Sequence, residues 1–179
     1  MTDVARDGLA SELDPFGGPI ESVAAALRAT VRSAASALLA MPEDWASAEP
    51  SPGKWSPKEI VGHLIDSAAN NHARFVRAQS EPDLICATYD QERWVQTQRY
   101  RDAVWPELIA LWRAYNEHIA HVIDSADPTE RARERRSHNF HKIAWRTVPA
   151  GTPATLDYLM RDYVGHLQHH LRQIDAMRG

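Results

Sequence analysis

Apolar positions recur at spacings of three and four in four stretches of the chain, the period of a helix that buries one face. Val23, Leu27, Val31, Ala34 and Leu38 form the first stripe. Alanines between them favour helix and the close approach of a neighbour. This helix should begin near Pro19 and end near Met41-Pro42. Residues 42–56 read as a loop, with Pro42, Pro50, Pro52 and Gly53 breaking regular structure and Trp45 and Trp55 within it. The second helix starts sharply, with Ser56 as N-cap, Pro57 in the first turn and Glu59 completing a capping box. It should run to about Gln79. Ile60, His63, Leu64, Ser67, Asn70 and Arg74 fall near one face at 3.6 residues per turn. That face is apolar but interrupted by polar groups, with Asn70 and Arg74 at its edge.

Residues 80–103 read as a connection holding a short helix from Asp90 to Thr97. A third long helix is expected from Val104 to Asp124. Leu108, Leu111, Tyr115, Ile119 and Val122 form its stripe, with Trp105 and Trp112 beside it. Residues 126–153 begin polar and basic, with Arg131, Arg133, Arg135 and Arg136, which reads as a solvated segment. The run from Asn139 to Val148 could pair as a hairpin, leaving His138 and His141 exposed. The last helix opens at Thr152-Pro153 or Thr155 and runs to about Met177. Leu156, Leu159, Met160, Tyr163, Leu167, Leu171 and Ile174 are its apolar positions. Four helices of similar length, each with one apolar stripe, predict an all-α four-helix bundle. Residues 19–179 should form its single domain, with 1–18 as an N-terminal arm.

The chain has 179 residues, a net charge of −4 and one cysteine, Cys86. Acidic and basic residues are interspersed, which argues against a nucleic-acid-binding face. An intrachain disulfide and a Cys-rich zinc motif are excluded. No apolar run approaches the ~20 residues that span a bilayer, and the first residues lack a signal-peptide core. A soluble cytoplasmic protein acting on a small molecule is expected. The Ala-rich first helix and the tryptophans of the third suggest spare apolar surface and a homodimer.

Candidate chemistry lies among the nine histidines. His166 and His170 stand four apart in the last helix, so both side chains stack on one face and can reach one ion. A catalytic metal site usually takes three protein ligands, and His63 is the best third. His118 is the rival, read instead as a core or margin histidine, while His169 points elsewhere. If the second and fourth helices ran parallel, His63 and His166 would differ by roughly 9 Å in height. Sharing an ion therefore requires the two helices to be antiparallel. The long 80–103 connection allows the crossover that makes them so, in an up-down-down-up order. Asp90 and Glu92, carried by that connection, and Asn70 are the candidates for acid–base work. Protons should compete with the ion as pH falls from 8 to about 5, since an ordinary histidine titrates near ~6.5.

The segments Lys54 to Ser67, Arg74-Phe75, Tyr89 to Trp94 and His166 to Leu171 together resemble the DinB superfamily, and within it the YfiT-like branch. The resemblance runs over roughly residues 20 to 177. It implies the up-down-down-up bundle, a dimer, and a divalent metal (zinc or nickel) held by three histidines that match His63, His166 and His170. It also implies metal-dependent hydrolysis, or transfer of a low-molecular-weight thiol such as bacillithiol, mycothiol or glutathione to an electrophilic substrate. A metal-stabilised bundle that only binds a ligand or partner is the non-enzymatic alternative. The long basic 126–153 segment departs from the family's pattern.

Overall fold

The computed structural model describes residues 22–178. The expected arm and the helix start near Pro19 lie outside that range. Four long helices carry the fold: α1 (Ser22–Leu39), α3 (Pro57–Arg77), α5 (Trp105–Ser125) and α8 (Leu156–Asp175). Short helices sit in the connections: α2 (Glu43–Ser47), α4 (Gln91–Gln98), α6 (Pro128–Ala132) and α7 (Phe140–Ile143). The predicted capping box is present: the Ser56 hydroxyl accepts from Glu59 N, and the Glu59 carboxylate accepts from Ser56 N at 2.8 Å. Thr155 caps α8 in the same way, accepting from Tyr158 N.

Side-chain pairs set the helix directions. Arg28 pairs with Asp124 and Arg32 with Glu117, and Trp105 Nε1 donates to Leu38 O, so α1 and α5 are antiparallel. His72 lies against Tyr115 and His118, and Gln79 accepts from Asp127 N, so α3 and α5 run parallel. Phe75 meets Tyr163 while His63 meets His170, so α3 and α8 are antiparallel. This is the up-down-down-up bundle, with the 78–104 connection as its crossover. Trp105, Trp112, Leu27, Leu38, Ile60, Leu64 and Ile119 are among the side chains sealed in the core. Each large one contributes about 1.5–3 kcal/mol of burial. No helix among the described residues is long and apolar enough to cross a membrane.

Several expectations change. The buried face of α5 is Trp105, Leu108, Ile109, Trp112, Asn116, Ile119, Ala120 and Ile123, rotated from the predicted stripe. Leu111 is exposed and both tryptophans are core, so they supply no spare surface for a dimer. Asn116 enters the core because its amide oxygen accepts from Tyr163 Oη at 2.6 Å. The 139–148 run forms no hairpin: it contains α7, and only the isolated bridges Leu84–His138 and Arg135–Ala154 occur outside it among the described residues. The basic segment is not simply solvated. Arg131 is buried and pairs with Asp157 at 2.5 Å, and buried Arg135 pairs with Glu130 at 2.7 Å and donates to Ala78 O. These clamps join the segment to the ends of α3 and α8. His138 is buried too, bonded to Thr152 O and Phe140 N, whereas His141 is exposed. His118 is exposed rather than in the core.

Candidate metal centre

His63 sits in the second turn of α3, and His166 and His170 in the second half of α8. Antiparallel packing brings them to one level. His63 Nε2 lies 3.4 Å from His166 Nε2, which lies 3.1 Å from His170 Nε2. One nitrogen from each ring falls within 4.8 Å of the others, and among the described residues these are the one such group that could hold an ion. The His170 Nδ1–H donates to Gln173 Oε1 at 3.0 Å, since that oxygen can only accept. Its Nε2 lone pair is thereby aimed at the other two rings. Trp55 packs on His63 with ring centroids 5.2 Å apart.

Three Nε2 atoms at such distances cannot all satisfy one another. With the His170 proton on Nδ1, its Nε2 only accepts, and one proton on His166 serves one neighbour. His63 is sealed from solvent, and its Nδ1 has no partner. A cation at the centre satisfies all three lone pairs, and the donor set suits a borderline metal such as zinc or nickel. Burial holds His63 down to about 3, with the His170 charge adding to the effect. Burial likewise holds His166 well below the ordinary histidine value, and His170 below it. The rings are thus neutral, the form that binds metal.

His63 and His166 of the triad line a cavity of about 240 Å³. One wall is a ladder on α3: His63, Ser67, Asn71 and Arg74, successive turns of one face. Asp162, Tyr163 and His166 of α8 face it, Tyr89 and Gln91 come from the crossover, and Lys142 to Trp145 close a side. Asp162 is buried and accepts from Trp145 N at 2.8 Å and Arg146 N at 2.7 Å, fixing that side of the cavity to α8.

The other proposed site residues fall elsewhere. Asp90 is exposed and caps α4, accepting from Arg93 N. Glu92 is exposed, and neither lines the cavity. Asn70 donates to Asp66 O and also lies outside the cavity lining, where its neighbour Asn71 stands instead. The carboxylate that lines the cavity is neither Asp90 nor Glu92 but Asp162, one turn before His166. The spacing of four was visible in the sequence, but the loop that Asp162 holds was not. Arg74, expected at the bundle margin, is buried against the cavity. His169 is exposed, with its ring between Trp145 and His170 at centroid distances of 5.4 and 5.2 Å, and it is not one of the three converging rings.

The fold is that of YfiT from Bacillus subtilis, described as "a probable metal-dependent hydrolase with an unusual four-helix bundle topology". The TM-score is 0.64 at 21% identity, covering 88% of this chain and 81% of that one. The chain is 28% identical over 127 residues to a Bacillus licheniformis protein and 22% identical over 125 residues to one from Oceanobacillus iheyensis. Both bear the name "putative metal-dependent hydrolase". Each match takes in 70% of this chain but 66% of the relative, just under two thirds of its length. The model of the DinB superfamily matches residues 20–174. That span takes in the four long helices, the crossover and all three converging histidines, and the chain belongs to the DinB superfamily.

Proposed function

We propose that the chain is a divalent-metal-dependent enzyme acting on a small molecule in the cavity, with the ion held by His63, His166 and His170. The observation that carries this reading is the convergence of three neutral Nε2 atoms, one on a buried ring and two on half-buried rings, which only a cation satisfies together. Such an ion supplies Lewis acidity, lowering the pKa of a water or thiol placed beside it. The names of the relatives point to hydrolysis.

Transfer of a low-molecular-weight thiol to an electrophilic substrate is the second reading, and one observation favours it. Hydrolysis benefits from a free carboxylate or histidine as general base. Asp162, the carboxylate in the cavity lining, has both oxygens engaged by backbone N–H groups. Thiol transfer needs no such base: the sulfur attacks the electrophilic carbon, the S–H proton passes to solvent, and the leaving group departs with its electron pair. Tyr163 and Trp145 give the cavity aromatic lining, and Ser67 and Asn71 offer hydrogen bonds along it.

Elemental analysis of the purified protein tests the ion. The expected result is one equivalent of a divalent metal, lost in His63→Ala. A panel of thiols with an activated aryl chloride, run beside a panel of esters and amides, separates the reactions. Thiol-dependent turnover supports transfer, and thiol-independent turnover supports hydrolysis. Full metal occupancy in His63→Ala refutes the site.

A further inference from the structure

The cavity has a second pole. Arg74 is 8% exposed and lines it at the end away from His63. Its Nη2 donates to Ala87 O at 3.0 Å, and its Nη1 lies 3.4 Å from Asn71 Oδ1. A guanidinium carries five N–H donors, and these contacts use two. No carboxylate among the described residues forms an ion pair with it. The groups nearest in charge are the Cys86 thiol and the Tyr89 phenol, and burial pushes both upward, Tyr89 to about 12, so both stay neutral. Burial in turn pulls the Arg74 guanidinium below its usual value.

Buried arginines elsewhere in this protein are compensated: Arg131 and Arg161 share Asp157, and Arg135 has Glu130. A buried cation without a counter-charge is costly, and proteins retain one where something else supplies the anion. The structure also shows why the pole is held in place. The strand-like 84–86 segment is tied to 137–139 through Leu84 N to Ser137 O and by Asn139, whose side chain bonds both Cys86 N and Cys86 O. Ala87 follows directly, and its carbonyl orients the guanidinium. Lys142 adds a second positive charge at the rim, while the Asp162 carboxylate opposite is saturated by its two backbone donors.

We propose that Arg74 is an anion-binding subsite for a carboxylate carried by the molecule processed at the histidine triad. The proposal rests on the reading of that triad as the reacting end of the cavity. A carboxylate matches the planar fork of one guanidinium and brings the single negative charge that one buried cation balances. The guanidinium reaches back over the Asn71 turn, eight residues or about 12 Å of rise from His63. That rise separates the two poles, so the carboxylate and the reacting atom of the substrate would stand several bonds apart. Of the two poles, one thus sets the chemistry and the other the length and charge of the substrate.

Ligand-observed NMR with the full-length protein tests this, using butyrate, its neutral isostere butyramide, and inorganic phosphate. Metal content is measured on the same samples. Butyrate is expected to bind at least ~10-fold more tightly than butyramide, and Arg74→Gln to weaken butyrate by ~10-fold or more while the metal stays bound. In the wild-type protein the Arg74 Nε–H resonance should shift with butyrate and not with butyramide, a readout that needs no variant to fold. Equal affinity for butyrate and butyramide, a resonance that stays in place, or butyrate binding untouched by Arg74→Gln each overturns the subsite. Phosphate bound more tightly than butyrate overturns the carboxylate assignment. Metal retained without butyrate binding leaves the triad standing and the subsite refuted. Butyrate held by Arg74 in a protein that takes up no metal does the reverse.

Discussion

Asp162→Asn perturbs one hinge of the site and nothing else of its shape. The wild-type carboxylate is 3% exposed and accepts two backbone N–H groups, from Trp145 at 2.8 Å and Arg146 at 2.7 Å. Asparagine keeps one acceptor oxygen and places an NH₂ donor against the other backbone N–H. One charge-assisted bond is lost, and a buried N–H is left unsatisfied. A hydrogen bond to a charged group is worth about 1.5–3 kcal/mol, and a stranded buried donor costs a further ~1 kcal/mol or more. Tyr158 Oη to Arg146 O at 2.7 Å remains as a second tether and limits the damage. The expected destabilisation is about 2–4 kcal/mol. At ~2–4 °C per kcal/mol for a chain of this size, the melting temperature should fall by roughly 4–16 °C. Circular dichroism melts measure that fall. Fluorescence quenching, compared with the same measurement in a Trp145→Phe background, isolates Trp145, which packs on His169 and should become more accessible below the transition. A variant within ~0.5 kcal/mol of wild type, with unchanged quenching, would show that Asp162 does not hold this wall of the cavity.

The remaining predictions concern the ion, pH and packing. His63→Ala, His166→Ala and His170→Ala should each abolish stoichiometric metal binding, while His118→Ala and His169→Ala, both exposed, leave it intact by elemental analysis. Metal-stripped protein should lose stability in urea titrations as pH falls from 7 to 5. The buried His63 and His166 refuse protons that the unfolded chain takes up near ~6.5, so their contribution is present above that value and fades towards the folded value of about 3 for His63. Asp66 and Asp162, both pushed up by burial, act in the opposite sense but nearer the carboxylate range. Because the folded triad is already neutral, metal release should begin below the ~6.5 expected of ordinary histidines; dialysis at stepped pH with metal analysis checks this, and half-release near 6.5 contradicts it. Gly62→Ala should cost about 1–3 kcal/mol by overpacking, since a Cβ there would stand 2.1–2.6 Å from the Tyr100 ring; a melting temperature equal to wild type contradicts it.

What was legible in the sequence was what local physics decides. The capping box at Ser56 and Glu59 and the start of α8 need only residues within one turn. The bundle order came from a different kind of constraint: two histidines on one helix and one on another share a height in only one relative direction of those helices. That inference used geometry rather than propensity, and it placed the crossover correctly. Local sequence is silent where a partner distant along the chain decides the outcome. The stripe expected for α5 passes over Asn116, whose place in the core depends on the hydrogen bond from Tyr163. Arg131 and Arg135 look solvated until Asp157, Glu130 and the Ala78 carbonyl surround them. Two stripes on α5 are equally regular, 108, 111, 115, 119, 122 and 105, 108, 109, 112, 116, 119, 120, 123, and only the packing of Trp105 and Trp112 into the core selects the second. Arg74 is the most instructive case. It shares the face of His63 but stands about 16 Å of helix rise away, which by itself places it at the bundle margin. The reach of its side chain back over the Asn71 turn and the cover given by the 84–89 segment bring it in. Neither is encoded in the helix that carries it. A cavity spanning three turns of α3 is therefore the work of two connections, the 78–104 crossover and the 126–155 segment, and changes there should alter substrate choice while leaving the bundle and its histidines in place.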